Sequence, residues 1–131
     1  MKVFLDANIL FTAAYNPGGR AAFLLENAHA FELITSEYAA EEARRNIIAK
    51  KKLSLPALES YVSSIRIVSD VMGICPIALP SKDQPIFLSA LKAKATHLIT
   101  GDLKDFGKFM NQPEKTCGIL IQTVAEFFSG L

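Results

Sequence analysis

Two apolar runs in this chain each end in a carboxylate. Val3-Phe4-Leu5 runs into Asp6-Ala7-Asn8, and His97-Leu98-Ile99-Thr100 runs into Gly101-Asp102. Both runs read as short strands without polar alternation, the pattern of a parallel sheet buried on both faces. In such a sheet ligands bind beyond the carboxyl ends of the strands. Two acids delivered there would repel each other unless a cation joined them, so the pattern points to a divalent metal and the chemistry it supports.

The chain has 13 acidic residues, and their settings differ. Asp6 and Asp102 either face a ligand or cap the segment after the strand. Asp83 opens a predicted helix, where an acid also complements the helix dipole. Glu41 has Arg45 four residues on and reads as an ordinary surface pair. Glu42 lies nearer the apolar stripe of Ala39, Ala43 and Ile47, where an acid needs a partner or an ion. Asp105, three residues after Asp102, is placed to join a site or cap a turn. His29 reads as a surface residue at a helix end and His97 as structural. The chain has no zinc-spaced Cys/His cluster and no Gly-rich phosphate loop. An aspartyl-nucleophile phosphatase commonly uses a second acid two residues after the first, a place filled here by Asn8.

These residues need a scaffold. Predicted strands cover Lys2–Leu5, Phe31–Thr35, Ile65–Val68, His97–Thr100 and Gly118–Ile121. Helices are predicted over Arg20–Ala28, from a Ser36 cap to about Lys51, after Ser54 with Pro56 in the first turn, and from about Ile86 to Lys94. A short helical or turn segment is predicted over Asp102–Phe109, and Thr123 to Glu126 forms a capping box opening a last helix. Strands alternating with helices give an α/β three-layer αβα sandwich with a mostly parallel, about five-stranded sheet. The 131 residues, half of them hydrophobic, fit one domain with a sizeable core, residues 1–131. No stretch is long and apolar enough to span a bilayer, and the start has no signal-peptide pattern. Cys75 and Cys117 are expected to be small, buried or half-buried reduced thiols, in keeping with a cytoplasmic setting. With a net charge of +1, a nucleic-acid partner would need local patches such as Lys50-Lys51-Lys52 with Arg44 and Arg45, or Lys92, Lys94, Lys104 and Lys108. Each of these also fits a solvated helix surface.

Strand-Asp6-Ala7-Asn8-Ile9-Leu10, Ser36 with Glu42 six residues later, Lys82-Asp83-Gln84-Pro85-Ile86 and Leu98-Ile99-Thr100-Gly101-Asp102-Leu103-Lys104-Asp105-Phe106 together resemble the PIN-domain family in order and spacing over nearly the whole chain. Within that family the chain is most similar to small prokaryotic VapC-like toxins. The resemblance implies an acidic pocket that binds Mg2+ or Mn2+ and hydrolyses RNA. Asp6, Glu42, Asp83 and Asp102 match its acidic quartet, Asp105 an accessory acid, and Asn8 and Thr100 supporting polar residues. Asp6 and Asp102 are expected as direct metal ligands, with Glu42 and Asp83 completing the set. Relatives often carry a further acid just before the Asp83 position, where this chain has Pro80-Ser81. The resemblance also implies a small antitoxin partner and a homodimer. The rival reading is a catalytically inactive PIN-fold module that binds RNA or a partner protein.

Overall fold

A computed structural model describes all 131 residues. Five parallel strands, β1 (Lys2–Leu5), β2 (Glu32–Ser36), β3 (Arg66–Val68), β4 (His97–Ile99) and β5 (Leu120–Gln122), lie in the order β3-β2-β1-β4-β5. The chain builds outward from β1 in one direction, returns, and builds outward in the other. The crevice between β1 and β4 is therefore the topological switch point, where open parallel sheets bind ligands. Leu5 stands opposite Ile99 in the register, so Asp6 and Thr100 leave the sheet side by side.

The central strand is apolar throughout because both its faces are covered. Val3 and Leu5 pack with Leu10, Ala13, Leu24, Ile47 and Leu58 on one side. Those residues come from α1 (Ala7–Tyr15), α2 (Arg20–Glu26), α3 (Glu37–Lys51) and α4 (Leu55–Ser63), and the same face receives Phe127 of α7 (Val124–Ser129). Phe4 points the other way, into Ile34, Ile86, Phe87, Leu98, Phe106 and Ile121. There it meets α5 (Gln84–Lys92) and α6 (Leu103–Phe106). Phe4 is fully buried, and truncating such a side chain loses both its transfer energy and the packing around the void. Phe4→Ala is expected to destabilise the protein by about 3–5 kcal/mol in urea denaturation, against about 5–15 kcal/mol for a whole domain.

The predicted elements agree in kind, with ends shifted by one or two residues. Helix α1 was not expected: its run Ala-Asn-Ile-Leu-Phe-Thr-Ala-Ala-Tyr carries no charge, and Ala7, Ile9, Leu10, Ala13 and Ala14 are all buried, so the polar face that marks an amphipathic helix is missing. Ser36 caps α3 by accepting from the Ala39 amide, and Thr123 with Glu126 forms the capping box of α7. Cys75 is half-buried, but Cys117 is exposed, contrary to expectation. Its backbone has φ +56° in the turn before Gly118, which leaves the side chain outside the fold. Both thiols are free, and no helix is long and apolar enough to cross a membrane.

Candidate active site

A cavity of about 750 Å³ opens at the carboxyl end of the sheet, and Asp6, Glu42, Asp83 and Asp102 all line it, with Asn8, Thr100, Lys82 and Arg20. The two strand-end acids act both as caps and as lining groups. Asp6 is the N-cap of α1, its Oδ1 accepting from the Ala7 amide at 2.7 Å. Asp102 is the N-cap of α6, its Oδ1 accepting from the Asp105 amide at 3.0 Å. Each cap fixes one carboxylate oxygen and so orients the other.

Thr100 joins the two. Its hydroxyl donates to Asp6 Oδ2 at 2.8 Å and accepts from the Asp102 amide at 3.0 Å. Asn8 braces the same oxygen: its Nδ2 donates to Asp6 Oδ2 at 3.1 Å, and its Oδ1 accepts from the Gly101 amide at 2.7 Å. A Cβ on Gly101 would stand 3.3 Å from that Oδ1, so the glycine lets the loop close on Asn8. Thr100→Val keeps the shape but strips one donor from a buried carboxylate. It is expected to cost about 1–3 kcal/mol, read by urea denaturation near neutral pH.

A cluster of three acids gathers around one of the two strand-end acids. Asp83, Asp102 and Asp105 each place a carboxylate oxygen within 4.8 Å of the others. Asp105 thus sits among the principal acids rather than beside them. Glu42 lines the cavity from α3, half-buried, while Glu41 faces solvent. The expected Glu41–Arg45 pair does not form: Glu41 pairs with Arg44 at 3.6 Å one turn on, and Arg44 also reaches Glu59 of α4 at 2.8 Å. The basic run on α3 is partly used inside the molecule, with Lys51 donating to the Tyr15 carbonyl and lying over its ring, and Lys50 over Phe11.

Two of the carboxyls are raised above the ordinary carboxylate range. Burial pushes the Asp6 carboxyl up to about 6, against the hydrogen bonds from Thr100 and Ala7, with Glu42's charge adding to the rise. Asp83 is pushed up to about 7, first by burial, then by a proton shared with Asp105 and by the charge of Asp6. Asp105 is held low, chiefly by that same shared proton. Asp83 Oδ2 is buried and has no hydrogen-bond donor. Although Asp83 begins α5, its side chain makes no cap, so the helix does not account for it. A buried carboxylate oxygen left this way is costly unless a proton or a cation meets it. The donor set is hard oxygen alone, the type that suits magnesium or manganese.

Lys82 was missed in the sequence as a site residue. It stands at the cavity mouth, 3.3 Å from Asp105 Oδ2 and 4.0 Å from Asp102 Oδ2. Its position directly before Asp83 was the available signal. Arg20, at the start of α2, is the second cation on the lining.

No protein-family model matches the chain, and no curated protein matches its sequence. Solved structures do share its fold. VapBC2 from Rickettsia felis, bound to a fragment of promoter DNA, aligns over 94% of this chain and 98% of its own at a TM-score of 0.68 and 16% identity. VapBC-1 from nontypeable Haemophilus influenzae aligns over 95% and 99% at 0.60 and 16%. VapC20 from Mycobacterium tuberculosis, a toxin that cleaves the sarcin-ricin loop, aligns over 78% and 91% at 0.54 and 11%. The chain therefore has the PIN-domain fold of VapC-type proteins. At these identities the fold is what is shared.

Proposed function

We propose that this protein is a metal-dependent endoribonuclease that hydrolyses RNA phosphodiester bonds, and that it is the toxin half of a toxin–antitoxin pair. The observation that carries the reading is the buried, donorless Asp83 Oδ2 within a group of acids at the switch point of a PIN-type sheet. Acids alone would repel an RNA backbone; acids around a cation attract it.

Asp6, Asp102 and Asp83 are the residues placed to hold Mg2+ or Mn2+, with Glu42 and Asp105 completing the set. A bound ion would supply charge neutralisation at the phosphate and a more acidic water. The chain's own groups do the rest. Thr100 and Asn8 keep Asp6 aimed by both donating to its Oδ2. Asp102 is held by its cap. Glu42, on the cavity wall and free of any ion pair, or Asp83 would orient an attacking water. Lys82 and Arg20 at the mouth suit the RNA phosphates that flank the cleaved bond.

The antitoxin reading is supported by the folds aligned above, two of which are VapBC structures. A small protein that covers the cavity would silence the enzyme, and a homodimer is the assembly the proposal includes. Purified protein incubated with single-stranded and hairpin RNA should cleave in Mg2+ or Mn2+, not in EDTA, and not as Asp6→Asn. Binding without cleavage under every metal condition would instead identify an inactive binding module.

A further inference from the structure

The acidic cluster already contains a cation of its own. Lys82 places its ammonium 3.3 Å from Asp105 and 4.0 Å from Asp102, yet its side chain remains 63% exposed while those two acids are 20% exposed or less. The lysine does not arrive there by chance of a loose loop. Tyr38 of α3, one helical turn before Glu42, donates its hydroxyl to the Lys82 carbonyl at 3.0 Å. The Asp83 amide bonds back to the Pro80 carbonyl at 2.9 Å, and Gln84 Nε2 donates to the Leu79 carbonyl at 2.9 Å. The backbone is thus tied at the root of the side chain, and the flexible part begins beyond it. This arrangement is a pinned base with a movable charged tip.

Resting on the metal-site reading above, we propose that Lys82 is a resident counter-cation: it holds Asp102 and Asp105 together in the metal-free protein, and a divalent ion must displace it to bind. Two facts make displacement feasible. An ammonium on an exposed side chain gains little from its pair, and it carries one charge where a divalent ion carries two. The freed lysine remains tethered at the cavity mouth, where an RNA phosphate would be its next partner. Lys82 is in this sense a positioning residue. It offsets part of the acids' mutual repulsion before the ion arrives, and it sets how much ion is needed to load the site.

The displacement makes apparent metal affinity weaker by the population of the docked lysine. For an exposed pair that factor is about fivefold. Mn2+ binding by wild type, Lys82→Met, Asp105→Asn and the double variant, together with thermal melts of the same four proteins in EDTA, tests the idea. Lys82→Met should bind Mn2+ about fivefold more tightly than wild type, and the gain should vanish in the Asp105→Asn background, where the lysine has lost its nearer dock. In EDTA, Lys82→Met should melt lower than wild type, and Asp105→Asn should relieve that loss. Unchanged or weaker Mn2+ binding by Lys82→Met overturns the proposal. A gain that persists undiminished without Asp105 also overturns it, because it would reflect general charge repulsion rather than a docked lysine. If none of the four proteins binds Mn2+, the metal-site reading itself fails, a result distinct from either of these.

Discussion

Asp102→Asn is expected to reduce RNA cleavage by about a hundredfold or more while leaving the fold in place. The two halves of this expectation come from the two oxygens of one side chain. Oδ1 accepts the Asp105 amide and caps α6, a role an asparagine oxygen fills equally well. The other oxygen faces Lys82 and the acidic cluster, and there the substitution removes a full negative charge. Losing one anionic ligand from a metal site forfeits several kcal/mol of charge stabilisation in the reaction, and each 1.4 kcal/mol is about tenfold in rate. Asp6→Asn should be equally inactive but less stable, because Asp6 Oδ2 takes donors from both Thr100 and Asn8, and an amide NH2 in that place would face a donor. Cleavage rate at saturating Mn2+, beside a thermal melt of each variant, separates the two. Glu114→Gln, on an exposed turn away from the cavity, should behave as wild type. An Asp102→Asn protein that is folded and active would remove the strand-end acids from the chemistry.

Asp83→Asn is expected to raise the stability of the metal-free protein at pH 8, where the wild-type carboxyl must carry a buried charge, and to abolish activity. Asp6 and Asp83 have folded-state values raised to about 6 and about 7 from 3.8. A carboxyl raised in this way is more protonated in the folded state than in the unfolded one. Its favourable contribution is complete below about pH 4 and disappears as pH rises through 6 to 7. Asp105 and Glu126 are held below their ordinary values, so they act with the opposite sign but only in more acid solution. Between about pH 4 and 7 the metal-free wild type should therefore lose stability as pH rises. Asp83→Asn should flatten that slope, because the amide has no charge to bury. Saturating Mg2+ or Mn2+ should restore stability at pH 8 to the wild type and not to the variant. Urea denaturation across pH 4–8, with EDTA and with metal, measures all of this. A metal-free wild type that grows more stable from pH 5 to pH 8 would contradict it.

The residues that were legible in the sequence are those whose position a parallel sheet dictates. Asp6 and Asp102 follow apolar strands directly, so the strand register alone brings them to the same crevice, and Leu5 opposite Ile99 carries that through. Glu42 was separable from Glu41 by its place beside the Ala39, Ala43, Ile47 stripe. What could not be read was set by contacts between elements remote in the chain. Asp83 and Asp105 meet because the Pro80–Gln84 turn folds against the start of α6. Arg44 pairs with Glu59 because the packing of α4 on α3 brings that acid to it. Helix α1 escaped notice because a helix buried on most sides has no polar stripe to give its period away. Lys82 read as one lysine of a turn until its acids were placed beside it.

The most direct test of a shared metal site is calorimetric titration of Mn2+ into the metal-free protein at pH 6.5, in buffers of different ionisation heat. Saturable binding that releases protons is predicted, since Asp83, and Asp6 in smaller part, must give theirs up, and binding at least tenfold weaker in Asp102→Asn. Absence of binding by the wild type, or binding that Asp102→Asn leaves unchanged, would contradict it.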